Sequence, residues 1–88
     1  MEIDSVLVSM VVPRYGYSVD MELPAHMEIQ DLSKEILKVL KKILAGSHPE
    51  IMKVNRITRI KANGQYVNGG NTLYEFGVWD GSTVVIEM

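Results

Sequence analysis

The sequence EIQDLSKEILKVLKKILA, residues 28–45, decides the architecture because it holds the one long amphipathic pattern in the chain. Its apolar side chains recur at steps of three and four residues, which places them on one face of an α-helix. That face comprises Ile29, Leu32, Ile36, Val39, Leu40 and Ile43, with Leu37 and Leu44 widening it. Glu28 and Asp31 open the predicted helix and Lys41 and Lys42 close it, as the helix dipole favours.

Two strands joined by a hairpin loop are predicted before this helix. Residues 3–12 are rich in apolar and β-branched side chains, which indicates a strand with both faces partly covered. Residues 13–17, PRYGY, interrupt the pattern because proline fixes φ and glycine permits a positive φ. Residues 18–23 then alternate polar and apolar side chains, which predicts a half-buried strand with water on one side.

Three further strands are predicted after the helix, for which Gly46 supplies a C′ residue. They cover residues 56–62, 65–67 and 82–88, and Asn63-Gly64 forms the turn between the first two. The segment 72–78 is too short for a packed helix and is predicted to form one 3₁₀ turn.

The order of these elements predicts one α+β domain over residues 1–88. One sheet must bury its apolar face, and only one long helix is there to cover it. We therefore expect a mixed sheet of four to five strands with the helix across one face. The first and last strands are the most apolar, so we place them at the centre. Such an arrangement is the β-grasp architecture.

Composition excludes several classes of function. A net charge of −2 gives no electrostatic signature of nucleic-acid binding or anionic membrane binding. The absence of cysteine excludes a disulfide scaffold, a zinc-thiolate site, thiol catalysis and an iron–sulfur cluster. No apolar run approaches the ~20 residues of a membrane span, and Glu2 and Asp4 do not suit a signal peptide. We expect a soluble protein of the cytoplasm.

No catalytic, metal or cofactor site is predicted. Nucleophile-elbow, P-loop, dinucleotide-binding and zinc-protease motifs do not occur. His26 and His48 do not have metal-ligand spacing and are expected to be loop or capping residues. Asp20 and Glu22 share one face of a strand, as solvated carboxylates commonly do. A domain of this size also has little core to spare for a deep pocket.

Three aromatic residues are candidate protein contacts, each with a structural alternative. Trp79, beside the turn Asp80-Gly81, either anchors a partner or covers the edge of the sheet. Tyr15 and Tyr17 flank the hairpin tip and either contact a partner or cover the end of the sheet.

Lysines form a row on the outer face of the predicted helix. They are Lys34, Lys38, Lys41 and Lys42. Pairing of Asp31 with Lys34 and of Glu35 with Lys38 would make this row an ordinary solvated face. The alternative is a basic docking face for an acidic partner or a nucleic acid, although no aromatic residues interleave these lysines.

Two segments resemble ubiquitin. Residues 72–84, TLYEFGVWDGSTV, are similar to the ubiquitin segment in which Thr-Leu and an aromatic residue precede an isoleucine, a turn and the last strand. Residues 60–67, IKANGQYV, are similar to its third and fourth strands with one extra residue. Together with the order of the elements, the resemblance covers nearly the whole chain, and it implies a ubiquitin-like β-grasp fold. Within that superfamily, with the run Gly77-Val78-Trp79-Asp80-Gly81, the chain resembles the YukD/EsaB group encoded with bacterial type VII secretion systems.

Departures from ubiquitin limit what the resemblance implies. Ubiquitin and the sulfur carriers act through a tail that ends in Gly-Gly, whereas the pair Gly69-Gly70 is internal here and the sequence ends in VIEM within the last predicted strand. Covalent attachment is therefore not expected. The positions that match ubiquitin's apolar recognition patch are Lys61, Val85 and Glu87, so a docking face here would be more polar.

These expectations combine into one hypothesis and three alternatives. We expect a non-catalytic, ubiquitin-like protein-binding adaptor, an accessory of a type VII secretion system that binds secretion-machine subunits. Its candidate contacts are Trp79, Tyr15, Tyr17, Lys61 and Val85. The alternatives are a carrier or modifier handled by an activating enzyme, an enzyme with a deep polar pocket, and weak self-association through an edge strand.

Overall fold

A computed structural model describes residues 4–88 of the chain. Its elements are β1 (Ser5–Val12), β2 (Tyr17–Pro24), α1 (Ile29–Leu44), β3 (Arg59–Ala62), β4 (Gln65–Tyr66) and β5 (Thr83–Glu87). Two 3₁₀ helices, Pro13–Tyr15 and Pro49–Lys53, join them. Ile3, which the sequence assigns to the first strand, lies outside the described residues. The α+β class and the order of the elements are as predicted.

The five strands form one mixed sheet in the order β2-β1-β5-β3-β4. β1 and β5 lie side by side and are parallel, with Ser9 opposite Thr83 and Val11 opposite Val85. All other pairings are antiparallel. The prediction that the first and last strands are central is confirmed, and the arrangement is a β-grasp.

The core lies between α1 and one face of the sheet. Alternate residues of β1 and β5 point into it, which are Val6, Val8, Met10, Val12, Val84 and Ile86. From α1 it receives Ile29, Leu32, Ile36, Leu37, Leu40 and Leu44. Val39 and Ile43, which the sequence assigns to the same stripe, are exposed instead. The stripe is rotated because β2 is the edge strand and nothing beyond it covers that flank of the helix.

Turn chemistry fixes the hairpins. Gly16 ends the first 3₁₀ helix with a left-handed φ of 59° before β2 begins. Asn63 and Gly64 have φ values of 49° and 85°, the positive values that a tight two-residue hairpin requires. Gly46 follows the helix as expected but does not have a positive φ. The helix end is completed instead by the His48 N–H, which donates to the Leu44 carbonyl at 2.7 Å.

Two predicted segments differ from the structure, and one short helix was not predicted. Residues 56–58 do not belong to β3, because the register of β3 with β5 ends at the pair Arg59 and Glu87 and only the Thr58 N–H bonds beyond it, to the Glu87 carbonyl. Residues 49–53 form a 3₁₀ helix that buries Ile51. Residues 72–78 form hydrogen-bonded turns rather than a 3₁₀ helix, and they start with a capping box in which Thr72 and Glu75 each accept from the other's N–H.

The helices among residues 4–88 include none with the length and apolar character needed to cross a membrane.

Candidate functional site

The sheet face opposite α1 is the outer face, and no described element covers it. The residues that alternate with the core positions point to this side. They are Ser5, Leu7, Ser9 and Val11 on β1, Ser18, Asp20 and Glu22 on β2, Thr83, Val85 and Glu87 on β5, Arg59 and Lys61 on β3, and Tyr66 on β4. The helix packs on the other side of the sheet, so these side chains have no described element above them.

Three apolar residues on the two central strands of the outer face form a column that Ser9 and Thr83 interrupt. Leu7 is 50% exposed, and Val11 and Val85 are half-buried register partners farther along the same two strands. Apolar side chains at the middle of an otherwise polar surface are typical of a docking site rather than of a solvated sheet. The apolar column, called the central column below, is therefore where binding of a partner would remove the most apolar surface from water.

Trp79 lies at one end of this column on a loop with a fixed main chain. The Gly81 N–H donates to the Leu7 carbonyl at 2.8 Å, and the Leu7 N–H donates to Asp80 Oδ1 at 2.8 Å. Within the loop, the Trp79 N–H donates to Ser82 Oγ at 3.0 Å. The indole is nevertheless 62% exposed. A large apolar ring on an ordered loop can anchor a partner with little loss of conformational entropy.

Opposite charges flank the apolar column. On β2, Asp20 and Glu22 are exposed, and Ser5 Oγ donates to Glu22 at 2.5 Å. On β3, the cationic groups of Arg59 and Lys61 lie 4.3 Å and 4.9 Å from the centre of the Tyr66 ring. The ring thus orients both cations. The β2 side of the outer face is acidic, and the β3 side carries Arg59 and Lys61, of which Arg59 is paired with Glu87. This asymmetry of charge gives a partner a defined orientation.

The comparison with protein families identifies the chain. The family model described as the WXG100 protein secretion system (Wss) protein YukD matches residues 6–86. The chain belongs to the YukD family. Membership associates it with that secretion system. No curated protein matches the sequence.

Solved structures similar to this YukD-family chain include ubiquitin-like domains. The ubiquitin-like domain of the Mycobacterium tuberculosis type VII secretion protein ECCD1 has a TM-score of 0.71 and 18% identity, over 98% of this chain and 100% of that one. The EccD5 ubiquitin-like domain of Mycobacterium xenopi has a TM-score of 0.70 and 18% identity, over 97% of this chain and 94% of that one. A chain of the MycP5-free ESX-5 inner membrane complex also has a TM-score of 0.70 and 18% sequence identity. That match covers 97% of this chain but only 21% of the other. These likenesses establish the ubiquitin-like fold.

The structure places two of the five predicted contact residues of this YukD-family chain on the outer face and a third on the adjoining loop. Lys61 and Val85 are register partners on the outer face, and Trp79 lies on the loop that precedes β5. Leu7 joins them and was not predicted as a contact. The alternation of β1 could have predicted the exposure of Leu7. Val6, Val8, Met10 and Val12 are the buried residues of this strand, and Leu7 lies between two of them on the opposite face.

Tyr15 and Tyr17 lie away from this surface. Tyr17 is the register partner of Val12, so it points toward the helix side at the end of β1 opposite Leu7. The Tyr15 ring packs on His48, with ring centres 4.9 Å apart, and both tyrosines contact the core. They are separated from Trp79 by the length of β1.

Among the described residues, no three His, Asp or Glu side chains lie close enough together to hold a metal ion. His48 Nδ1 lies 3.5 Å from Glu50, and the His26 ring packs on Tyr74. Asp20 and Glu22 share the outer face of β2, as the alternation predicts.

Proposed function

We propose that this YukD-family chain is a non-catalytic adaptor of the WXG100, or type VII, secretion system that binds other proteins non-covalently through the outer face of its sheet. Trp79 is the anchor, Val85 and Leu7 form the apolar centre, and Lys61 orients the partner. The adaptor works in the cytoplasm and has protein partners, not nucleic acid or lipid. Tyr15 and Tyr17 remain predicted protein contacts, and they would belong to a contact separate from the outer face.

The exposed indole of Trp79 on a hydrogen-bonded loop carries this proposal. A solvated tryptophan costs free energy in the isolated chain, and burying a ring of this kind at an interface contributes on the order of 2 kcal/mol or more. The register partner pair of Lys61 and Val85 extends the same surface. A protein surface, rather than a small molecule, fits a flat face with an apolar centre and charged rims.

The family supports the choice of partner. The YukD family is described by its secretion system, and domains of similar fold occur in the type VII protein ECCD1 and in an ESX-5 inner membrane complex. We therefore take subunits of the secretion apparatus as the partners of this chain.

The test is co-purification of the tagged chain from its native host after mild crosslinking. Wild type should recover subunits of the secretion apparatus, and Trp79→Ala should reduce that recovery about tenfold or more. Tyr74→Ala is the matched control, because Tyr74 is another exposed aromatic residue and its ring packs on His26. Recovery of no secretion subunit by wild type, or equal recovery by Trp79→Ala, would refute the proposal.

A further inference from the structure

A second surface, the basic groove, lies between α1 and the segment that leads into β3. It has a volume of about 430 Å³. Its walls include the cationic residues Lys34, Arg56 and Arg59 and the apolar residues Leu37, Ile57 and Val67. No carboxylate of the described residues lines it. The groove is separate from the central column of the outer face, although Arg59 lies at the rim between the two.

Charge along the chain is strongly segregated around this groove. Residues 34–61 hold eight of the nine Lys and Arg residues but two of the eleven acids, a net charge of +6, and the rest of the chain carries −8. The lysines of the helix do not alone account for the positive charge of the groove, because Arg56 and Arg59 line it from the segment that leads into β3. The net charge of −2 therefore hides a basic surface that is opposite in sign to the molecule as a whole.

Two of the three cations have no partner of their own. Arg59 is held by Glu87, with Nε 3.7 Å from Oε1, and by the Tyr66 ring. Lys34 and Arg56 make no ion pair with any described residue, and the predicted pair of Asp31 with Lys34 does not form, whereas Lys38 pairs with Glu35 at 3.4 Å. Lys34 and Arg56 are thus available to a carboxylate from outside.

The main chain beside the groove is open as well. Val54 is extended, and the N–H groups of Asn55, Arg56 and Ile57 donate no hydrogen bond to other described residues. An extended peptide could pair with such a segment through its own backbone. A nucleic acid has no matching backbone, and the groove offers no aromatic ring among its lining residues for base stacking.

We propose that the basic groove binds an extended, acidic segment of a protein partner. Lys34 and Arg56 pair with its carboxylates, and the main chain of residues 55–57 pairs with its backbone. One apolar side chain between the acids lies over the small exposed parts of Leu37 and Ile57, which are otherwise buried in the core. The groove gives the adaptor a second docking surface. This inference stands apart from the outer-face proposal, since either surface can bind when the other does not.

The first experiment titrates the ¹⁵N-labelled chain with a synthetic peptide that alternates Glu with Ser around one central Leu, at physiological salt. Amide resonances should shift at residues 33–37 and 55–59 and stay unchanged at Trp79 and Val85. The same peptide with Gln in place of Glu should bind at least tenfold more weakly. Shifts confined to other surfaces, or equal binding of the Gln peptide, would overturn the inference.

The second experiment separates a specific groove from general attraction. The double variant K34Q/R56Q should lose at least tenfold in affinity for the Glu peptide. The control R14Q/K42Q removes the same two kinds of charge outside the groove and should bind as wild type does. All four positions are exposed, so both variants should fold, which their amide spectra will verify.

Other results would assign the groove to another occupant and overturn the proposal. Equal loss in both double variants would mean non-specific charge attraction. Tighter binding of a single-stranded oligonucleotide, lost in K34Q/R56Q, would make the groove a nucleic-acid site. Self-association that K34Q/R56Q abolishes, without peptide binding by wild type, would make the occupant a second copy of the chain.

Discussion

At the scale of single residues, Tyr15 combines good packing with a poorly placed polar atom. Its ring contacts His48 and the core, but its hydroxyl oxygen is buried and has no hydrogen-bond partner among the described residues. A buried polar atom without a partner loses its hydration and gains nothing in exchange. The ring stabilises the fold while the hydroxyl opposes it.

Tyr15→Phe should therefore raise the free energy of unfolding by about 1 kcal/mol, measured by urea denaturation. Tyr17→Phe is the control, since the Tyr17 hydroxyl is not buried in this way, and it should change the free energy by less than about 0.5 kcal/mol. A clear loss of stability in Tyr15→Phe would show that its hydroxyl has a partner after all.

Asp80 positions Trp79 without touching a partner itself. Its Oδ1 accepts from the Leu7 N–H at 2.8 Å and so fixes the loop to β1. Asp80→Ala should lower the free energy of unfolding by about 1 kcal/mol and also lower the recovery of secretion subunits. Asp80→Asn should restore both, because an amide oxygen can accept the same hydrogen bond. Full recovery by Asp80→Ala would mean that the loop geometry does not matter for binding.

At the scale of elements, the phase of α1 is the feature most open to test. Leu40 is fully buried, while its neighbour Val39 is 38% exposed on the flank beside β2. Leu40→Ala should lower the free energy of unfolding by about 3 kcal/mol, and Val39→Ala by less than about 1 kcal/mol, in urea denaturation. The reverse order of the two effects would mean that the helix presents another face to the sheet.

The same elements show how far local sequence pattern determines this fold. Alternation in β2 and the periodicity of α1 predict those elements well, because each buries one face over several residues. Pattern alone cannot predict that residues 56–58 stay outside β3, since that depends on where β5 ends. The exposure of Val39 and Ile43 likewise depends on β2 being an edge strand.

The candidate site was predictable only in part for a similar reason. Trp79 stands out in the sequence as the one tryptophan. Arg56, Arg59 and Lys34 line one groove only in the folded chain, so no rule of sequence spacing predicts that they lie around the same groove. Leu7 becomes a surface residue only once the phase of β1 is known.

At the scale of the whole molecule, the segregation of charge governs how copies of the chain meet. The edge strand β2 presents Asp20 and Glu22, and two such edges repel each other. The basic groove of one copy instead attracts the acidic part of another. This attraction is between exposed charges and acts over about 30 Å at 10 mM salt but only about 8 Å at physiological salt.

We therefore expect weak self-association at about 10 mM salt that disappears at about 150 mM, measured by light scattering over a range of concentrations. K34Q/R56Q should stay monomeric in both conditions. Association that persists or grows at high salt would indicate apolar pairing of β2 edges instead.

The parallel pairing of β1 with β5 has a consequence for biosynthesis. Every other strand can find a neighbour while the polypeptide is still emerging, but β1 and β3 share no partner until the last strand has been translated. Until then the position of β5 in the sheet is vacant, and the unpaired backbone groups of β1 and β3 line this one-strand-wide slot. A synthetic peptide with the sequence of residues 82–88 should fill that slot in a fragment of residues 1–81, which keeps the buried Leu73 and Val78. The fold therefore offers a natural point at which to divide it into two complementing pieces.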